Sequence, residues 1–322
     1  MGSITDVPGI RVGHTENLEA VTGCTVILFD RAAHGAVDLR GGGTSTRQLD
    51  PLFGYHAFGK INGIFLTGGS AYGLNASEGV MQFLEEKNVG LDVGRGLVVP
   101  SVPTAVIFDL GIGDGKVRPD ARMGHKACLH ASGEAVAEGC VGVGAGATIG
   151  KLRGIERATK GGLGTGSHEL SEGVWIGVLV VVNAFGDVME RMNGDIIAGV
   201  RSSPEGKDFA GTAELIKQGV EYRMEPFEST TLAVAATNAS FTKPELVRMA
   251  RLGQTGITRV VSPSHTVSDG DVVFAISTGV EKADANVMGI LAGELISEAI
   301  VRAVKSATTL GGIPCYRDLT GG

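Results

Sequence analysis

The sequence predicts an α+β layered sandwich, and three observations lead there. Strand-like segments rich in β-branched residues and helix-like segments with apolar residues three to four apart are both abundant. They do not follow the steady strand-helix alternation of a doubly wound parallel sheet, because consecutive strands occur near the middle of the chain. And 43% of the 322 residues are hydrophobic, enough for a sizeable core that needs no metal or disulfide staple.

In chain order, strands are expected at 24–29, 63–67, 141–147, 175–183, 231–237, 259–262 and 272–277, where β-branched residues gather. The longest apolar run, 174–182, falls far short of the ~20 residues of a membrane span, so it reads as a buried strand. Helices are expected at 71–87, 122–138, 243–252 and 285–305. In the last of these Met288, Leu291, Leu295, Ile296, Ala299 and Val304 line one face. Residues 201–226 are polar and end just before a strongly apolar strand, which makes them the best candidate for an exposed, cleavable loop. No internal repeat and no linker divides the chain.

Composition excludes several classes. Glycine, at 51 residues, is about twice its usual ~7% share, yet it shows no G-X-Y period and proline numbers only 10, so tight turns rather than collagen or a linker explain it. The net charge of −7 with no basic run argues against nucleic acid and anionic membranes as partners. The first fourteen residues lack the basic and apolar regions of a signal peptide, and a cytoplasmic setting is expected. Cys24, Cys128, Cys140 and Cys315 form no CxxC pair and read as reduced thiols. His125 and His130 do not have zinc-motif spacing, so neither a metal nor another cofactor is expected.

Several motifs fail on inspection. Gly144-Ala-Gly-Ala-Thr-Ile-Gly150-Lys151-Leu152 has five residues between its outer glycines and Leu after the lysine, where a P-loop needs four and a hydroxyl. Gly68-Gly-Ser70-Ala-Tyr72 ends in Tyr where a nucleophile elbow needs Gly. Ser240-Phe-Thr-Lys243 lacks a Lys-Thr-Gly partner, and Thr242-Lys-Pro244-Glu245 is better read as a capping box. What remains is Glu228-Ser229-Thr230-Thr231-Leu232, a hydroxyl pair at the head of an apolar strand. Taken alone, these threonines are more simply read as ordinary β-formers.

Nearly the whole chain, however, resembles one family in motif order. The motifs begin with Ile4-Thr-Asp-Val-Pro-Gly-Ile-Arg-Val-Gly-His14, Arg40-Gly-Gly-Gly43, Leu66-Thr-Gly-Gly-Ser70-Ala-Tyr-Gly73 and Val143-Gly-Ala-Gly-Ala-Thr-Ile-Gly-Lys151. They continue with Lys160-Gly-Gly-Leu-Gly164, Val180-Val-Val-Asn183-Ala, Thr230-Thr-Leu and Asp269-Gly-Asp271. The family resembled is the L-aminopeptidase/D-esterase group of self-processing N-terminal-nucleophile aminopeptidases, with the β-peptidyl aminopeptidases and the nylon-oligomer hydrolase. The resemblance implies a four-layer αββα sandwich spanning 1–322, cleaved into a 1–229 and a 230–322 chain that stay together in a homo-oligomer. It makes Thr230 the nucleophile and Ser229-Thr230 the scissile bond. It gives Lys160 and Asn183 roles in positioning or stabilising the reacting groups, and it makes Asp269 and Asp271 the pair that contacts the nucleophile. Ser229 stands where relatives commonly carry Asn or Gly.

The chemistry suits these residue types. A threonine hydroxyl is a weak nucleophile without a nearby base, and the α-amine of a newly exposed N-terminal Thr, with a reference pKa of ~7.7–8.0, is such a base. Asn183 would offer its side-chain N–H to an oxyanion, or simply start a turn. Lys160 would hold a carbonyl or carboxylate, or lie solvated in a glycine-rich loop. Asp269 and Asp271, one glycine apart, would orient the Thr230 amine and hydroxyl, or form a turn. The expected reaction is release of the N-terminal residue from a small peptide or amide through an acyl-enzyme on Thr230. The alternatives are hydrolysis of ω-amino-acid oligomers, acyl transfer of the ornithine acetyltransferase type, and a non-catalytic protein that never cleaves.

Overall fold

The computed structural model describes residues 2–56, 59–171, 173–190, 194–220 and 229–321. Among the described residues nine strands form one hydrogen-bonded sheet: β1 (Ile10–Asn17), β2 (Thr22–Leu39), β3 (Thr46–Arg47), β4 (Lys60–Thr67), β5 (Thr104–Val106), β6 (Gly162–Ser171), β7 (Val174–Asn183), β8 (Thr230–Ala239) and β9 (Val272–Glu281). The order is β6-β7-β8-β9-β2-β4-β5-β3, with β1 also paired to β2. Neighbours are antiparallel except β8 with β9 and β4 with β5.

Strand β2 turns this single path into two layers. Its end, from His34 to Leu39, pairs with β9, while its beginning, from Thr22 to Phe29, pairs with β1. Between the two halves Asp30, Arg31 and Ala32 are exposed, and the pairing with β4 shifts register between Leu28 and Ala33. Side chains alternate across a strand, and the apolar clusters follow that alternation. On β7, Ile176, Val178, Val180 and Val182 pack with Met249, Ile257, Ile296 and Ile300 of two long helices, α3 (Lys243–Val260) and α4 (Ala285–Ser306). Leu179 and Val181 face the other way, with Leu232, Val234, Phe274, Ile27, Ile64 and Leu66. Across the second layer, Cys24, Val26, Leu28 and Phe65 meet α1 (Ser77–Glu86) and α2 (Ala121–Leu129) through Val80, Phe83, Leu84 and Ala127. Helices, sheet, sheet, helices: this is the expected αββα sandwich.

Several elements differ from expectation, each for a physical reason. Residues 141–147 are no strand; Gly142–Gly146 form a 3₁₀ turn. Gly142 there has φ +50, and a Cβ on Gly144 would lie 2.5 Å from the Gly139 carbonyl oxygen, so the glycines allow a tight turn that a pleat would not fit. The second helix stops at Leu129 rather than 138, because Ser132 exchanges backbone hydrogen bonds with Val12 of β1. The third runs on to Val260, leaving only Val261–Ser262 of the strand expected at 259–262. The first divides into a 3₁₀ part, Ser70–Ala76, and α1.

The segment 201–226 is not uniformly exposed. Arg201 is buried, its guanidinium bonded to the carbonyl oxygens of Glu156, Ala158 and Pro204, and Thr212–Lys217 is helical. Residues 221–226 lie outside the described residues. The cysteines are free, Cys140 half-buried and the others buried. No helix is long and apolar enough to cross a membrane among the described residues.

Candidate active site

The site is built where three strands meet at their ends. Strand β8 begins at Thr230, and the antiparallel register sets Asn183, the last residue of β7, directly opposite it. By alternation Thr230 shares its side of β8 with Leu232 and Val234, and Asn183 shares its side of β7 with Leu179 and Val181. Both therefore lie on the inter-sheet faces. On the other flank Ser229 bridges in parallel to Asp269, just ahead of β9. Ser229, Thr230, Asn183, Asp269 and Asp271 are all at most 4% exposed.

The Ser229–Thr230 peptide is gripped at its carbonyl. The Gly270 N–H donates to the Ser229 oxygen at 2.9 Å, and the Thr230 hydroxyl donates to the same oxygen at 2.5 Å. A Cβ on Gly270 would come within 3.0 Å of Thr230 Oγ1 and 2.9 Å of the Gly43 oxygen, so close approach of this backbone depends on glycine. Lys151 Nζ lies 3.3 Å from Ser229 Oγ and 2.7 Å from the Asn183 carbonyl oxygen. Asn183 accepts from the Thr148 N–H at 2.9 Å through Oδ1 and donates from Nδ2 to the Phe108 oxygen at 3.1 Å.

The two aspartates take different partners. Asp271 accepts from the Thr231 N–H at 2.6 Å, and its other oxygen lies 2.7 Å from His265 Nδ1. Asp269 accepts from the Thr266 N–H and hydroxyl at 2.9 and 2.7 Å, and from the Phe185 N–H at 3.2 Å. Burial first, and the neighbouring Asp271 second, push the Asp269 carboxyl up to about 6, against the opposing pull of its hydrogen bonds. Neither aspartate bonds the Thr230 hydroxyl.

Lys160 is not a solvated loop residue. It sits fully buried in the two-residue strand Thr159–Lys160, and its ammonium donates to the Ala147 oxygen at 2.6 Å. Burial draws it down to about 8. It makes no hydrogen bond to Ser229, Thr230 or Asn183, and reaches them only through the chain that joins Ala147 to Thr148. Lys151 is the lysine that reaches the Ser229 side chain, beside the candidate cleavage bond, and in the sequence it stood out only as the end of a failed P-loop and of a resemblance motif. His265 and the Gly270 N–H were also missed. The available signal was a glycine between two acids at a strand entrance, with His-Thr four residues upstream of the first acid.

A small cavity of about 30 Å³, lined by Thr148, Lys151, Phe108, Asp109, Gly111, Ile112 and Ile155, adjoins these residues. It shares Gly111, Ile112 and Ile155 with a wider cleft of about 580 Å³. Among the described residues no group of three or more His, Cys, Asp or Glu is arranged to hold a metal.

An αββα sandwich with a hydroxyl residue heading an inner strand defines the class of N-terminal-nucleophile hydrolase folds. Comparison with known proteins narrows it: residues 2–315 match peptidase family S58. The chain belongs to that family and is a hydrolase of peptide or amide bonds. It is 38% identical to an uncharacterized aminopeptidase of Mycobacterium tuberculosis, over 99% of this chain and 98% of the relative. It is 30% identical to the 6-aminohexanoate-oligomer endohydrolase of Agromyces sp., over 93% and 85%. Among solved structures it is similar to a Burkholderia sp. β-aminopeptidase, with TM-score 0.73, 23% identity and 99% and 92% coverage. It is also similar to the L-aminopeptidase D-Ala-esterase/amidase of Ochrobactrum anthropi, described as a variant of the Ntn hydrolase fold, with TM-score 0.75, 20% identity and 97% and 88% coverage.

Proposed function

We propose that this hydrolase is an aminopeptidase that makes its own nucleophile by cleaving Ser229–Thr230. The observation that carries this reading is the grip on the Ser229 carbonyl, with a backbone N–H on its oxygen and the Thr230 hydroxyl beside it. In the first step Thr230 Oγ1 attacks the Ser229 carbonyl carbon, the C–N bond breaks, and the hydroxyl proton passes to the leaving nitrogen. Water then hydrolyses the resulting ester, leaving a carboxylate on Ser229 and a free amine and hydroxyl on Thr230. The Gly270 N–H supports the oxyanion of this step, and the Lys151 ammonium holds the Ser229 hydroxyl beside it.

In turnover the α-amine of Thr230 serves as the base for its own hydroxyl. Asn183 Nδ2 exchanges its neutral Phe108 carbonyl partner for the stronger, charge-assisted bond to a substrate oxyanion. Asp271 fixes the Thr231 N–H next to Thr230, Asp269 ties the Thr266 loop to the Phe185 N–H just past Asn183, and Lys160 supports the Ala147–Thr148 segment that holds Asn183. Small peptides or amides with a free amine are the substrates; the names of the relatives support both α- or β-amino acid amides and ω-amino oligomers. A homo-oligomer in the cytoplasm, needing no cofactor and binding neither nucleic acid nor membrane, completes the proposal.

The test is intact mass. The purified protein should separate under denaturing conditions into 1–229 and 230–322, and Thr230→Ala should block both processing and turnover while Thr230→Ser keeps some of each. A single unprocessed chain with full hydrolase activity would overturn the mechanism, since its base would not exist.

A further inference from the structure

We propose that His265 is a positioning residue for this reaction, holding one oxygen of Asp271 so that the other fixes the Thr231 N–H and with it the peptide plane that carries Thr230. This rests on the reading of Thr230 as nucleophile. Asp271 is 1% exposed and lies two positions beyond a second buried carboxylate, Asp269. Its Oδ2 receives both donors of His265, the backbone N–H at 3.2 Å and Nδ1 at 2.7 Å. An ionised carboxylate oxygen only accepts, so Nδ1 carries the proton. Its Oδ1 is then left facing the Thr231 N–H at 2.6 Å.

The next residue repeats the device. Thr266 offers its backbone N–H and its hydroxyl to Asp269 Oδ2. Two consecutive residues thus clasp two carboxylates separated by one glycine, each with a backbone and a side-chain donor. Each of the two carboxylates therefore has one oxygen held by two donors of its own. His265 makes the clasp from the left-handed region, at φ +58, where a non-glycine residue is uncommon and Asn is among the best tolerated. Its side chain is 17% exposed, so the imidazole spans from solvent to a carboxylate that has no access of its own. Without Nδ1, Asp271 Oδ2 keeps only the longer backbone bond from His265. The carboxylate is then free to turn, and the Thr231 peptide loses its fixed partner.

The experiment compares His265→Leu and His265→Asn in the full chain, with Thr230→Ala alongside. The readouts are the rate at which the 230–322 fragment appears by intact mass, kcat and KM of the processed fraction on an aminoacyl amide, and Tm. Loss of one hydrogen bond to a charged group predicts that His265→Leu lowers kcat and the processing rate by about 10- to 100-fold, with KM within about twofold. His265→Asn restores most of both, because its side-chain amide can donate where Nδ1 did and Asn accepts a positive φ. Wild-type rates in His265→Leu, a change confined to KM, or equal losses of rate and Tm in both variants would each overturn the positioning role. Processing or turnover in Thr230→Ala would instead overturn the reading of the nucleophile on which it rests.

Discussion

Thr230 and Thr231 are the same amino acid in adjacent positions, and only their surroundings tell them apart. The Thr230 hydroxyl lies on the Ser229 carbonyl on the inter-sheet side, whereas the Thr231 hydroxyl is buried and has no hydrogen-bond partner among the described residues. A buried unsatisfied hydroxyl costs roughly 1–3 kcal/mol, and Val has nearly the shape of Thr without that group. Thr231→Val should therefore leave processing and turnover near wild type and raise Tm, while Thr230→Val should abolish activity; loss of turnover in Thr231→Val would shift the nucleophile by one residue. Asp269 adds a pH signature. Its folded value of about 6 lies above the ordinary carboxylate value of 3.8, so the fold favours its protonated form. That contribution to stability is fully present below about pH 4 and is lost as pH rises through about 6. Melting curves from pH 4 to 8 should show the wild type losing stability relative to Asp269→Asn across that window; parallel curves would mean that Asp269 does not titrate there. Most of this site was legible as residue types in sequence order. Lys151 was not, since a lysine beside glycines says nothing of burial, and His265 was not, since the spacing of His-Thr ahead of Asp-Gly-Asp puts it near the acids while its choice of partner is set by a left-handed backbone.

At the level of elements, segments whose pattern is carried by their own side chains were the readable ones. Strand β7 and helix α4 announce themselves by apolar run and by period, and appear within a residue of the expected bounds. Strand β6 does not, because its character is supplied by α4. Along β6, Gly162, Gly164 and Gly166 recur every second residue on one face, and Cβ atoms added there would meet the Ala303 oxygen at 2.9 Å, the Ala299 oxygen at 2.1 Å and Leu295 Cδ2 at 3.8 Å. These helix positions are one turn apart, so a smooth glycine stripe on the strand receives one stripe of the helix. Scoring for β-branched residues passes over such a strand, since what qualifies it is the absence of side chains. Strand β1 was missed for a related reason: its alternation is broken by Gly13, whose added Cβ would lie 2.0 Å from the Ala127 oxygen of α2. In both cases the glycines measure how closely the layers approach, which is tertiary information.

The order of strands decides what self-cleavage would do to the whole molecule. The four-layer arrangement was legible only through resemblance, because the bend that carries β2 from one sheet to the other has no signal in its own residues. Cutting before Thr230 releases a fragment holding β8, β9, α3 and α4. Those two strands are parallel partners inserted between β7 on one side and β2 on the other, both belonging to the larger fragment. Removing the fragment would break two strand ladders and uncover both faces of the first sheet, where Leu232, Val234, Phe274, Ile276, Ile257, Ile296 and Ile300 are buried. At ~1.5–3 kcal/mol for each such side chain, the apolar contribution opposing separation is on the order of ten or more kcal/mol before chain entropy offsets it. The processed protein should therefore elute as one species under native conditions, with both fragments in equal amounts in the same peak, and should part only where the core unfolds. Size-exclusion chromatography of fully processed protein, followed by denaturing mass analysis of each fraction, checks this. Free 230–322 fragment in a native fraction would mean that the inner strands are not held as this strand order requires.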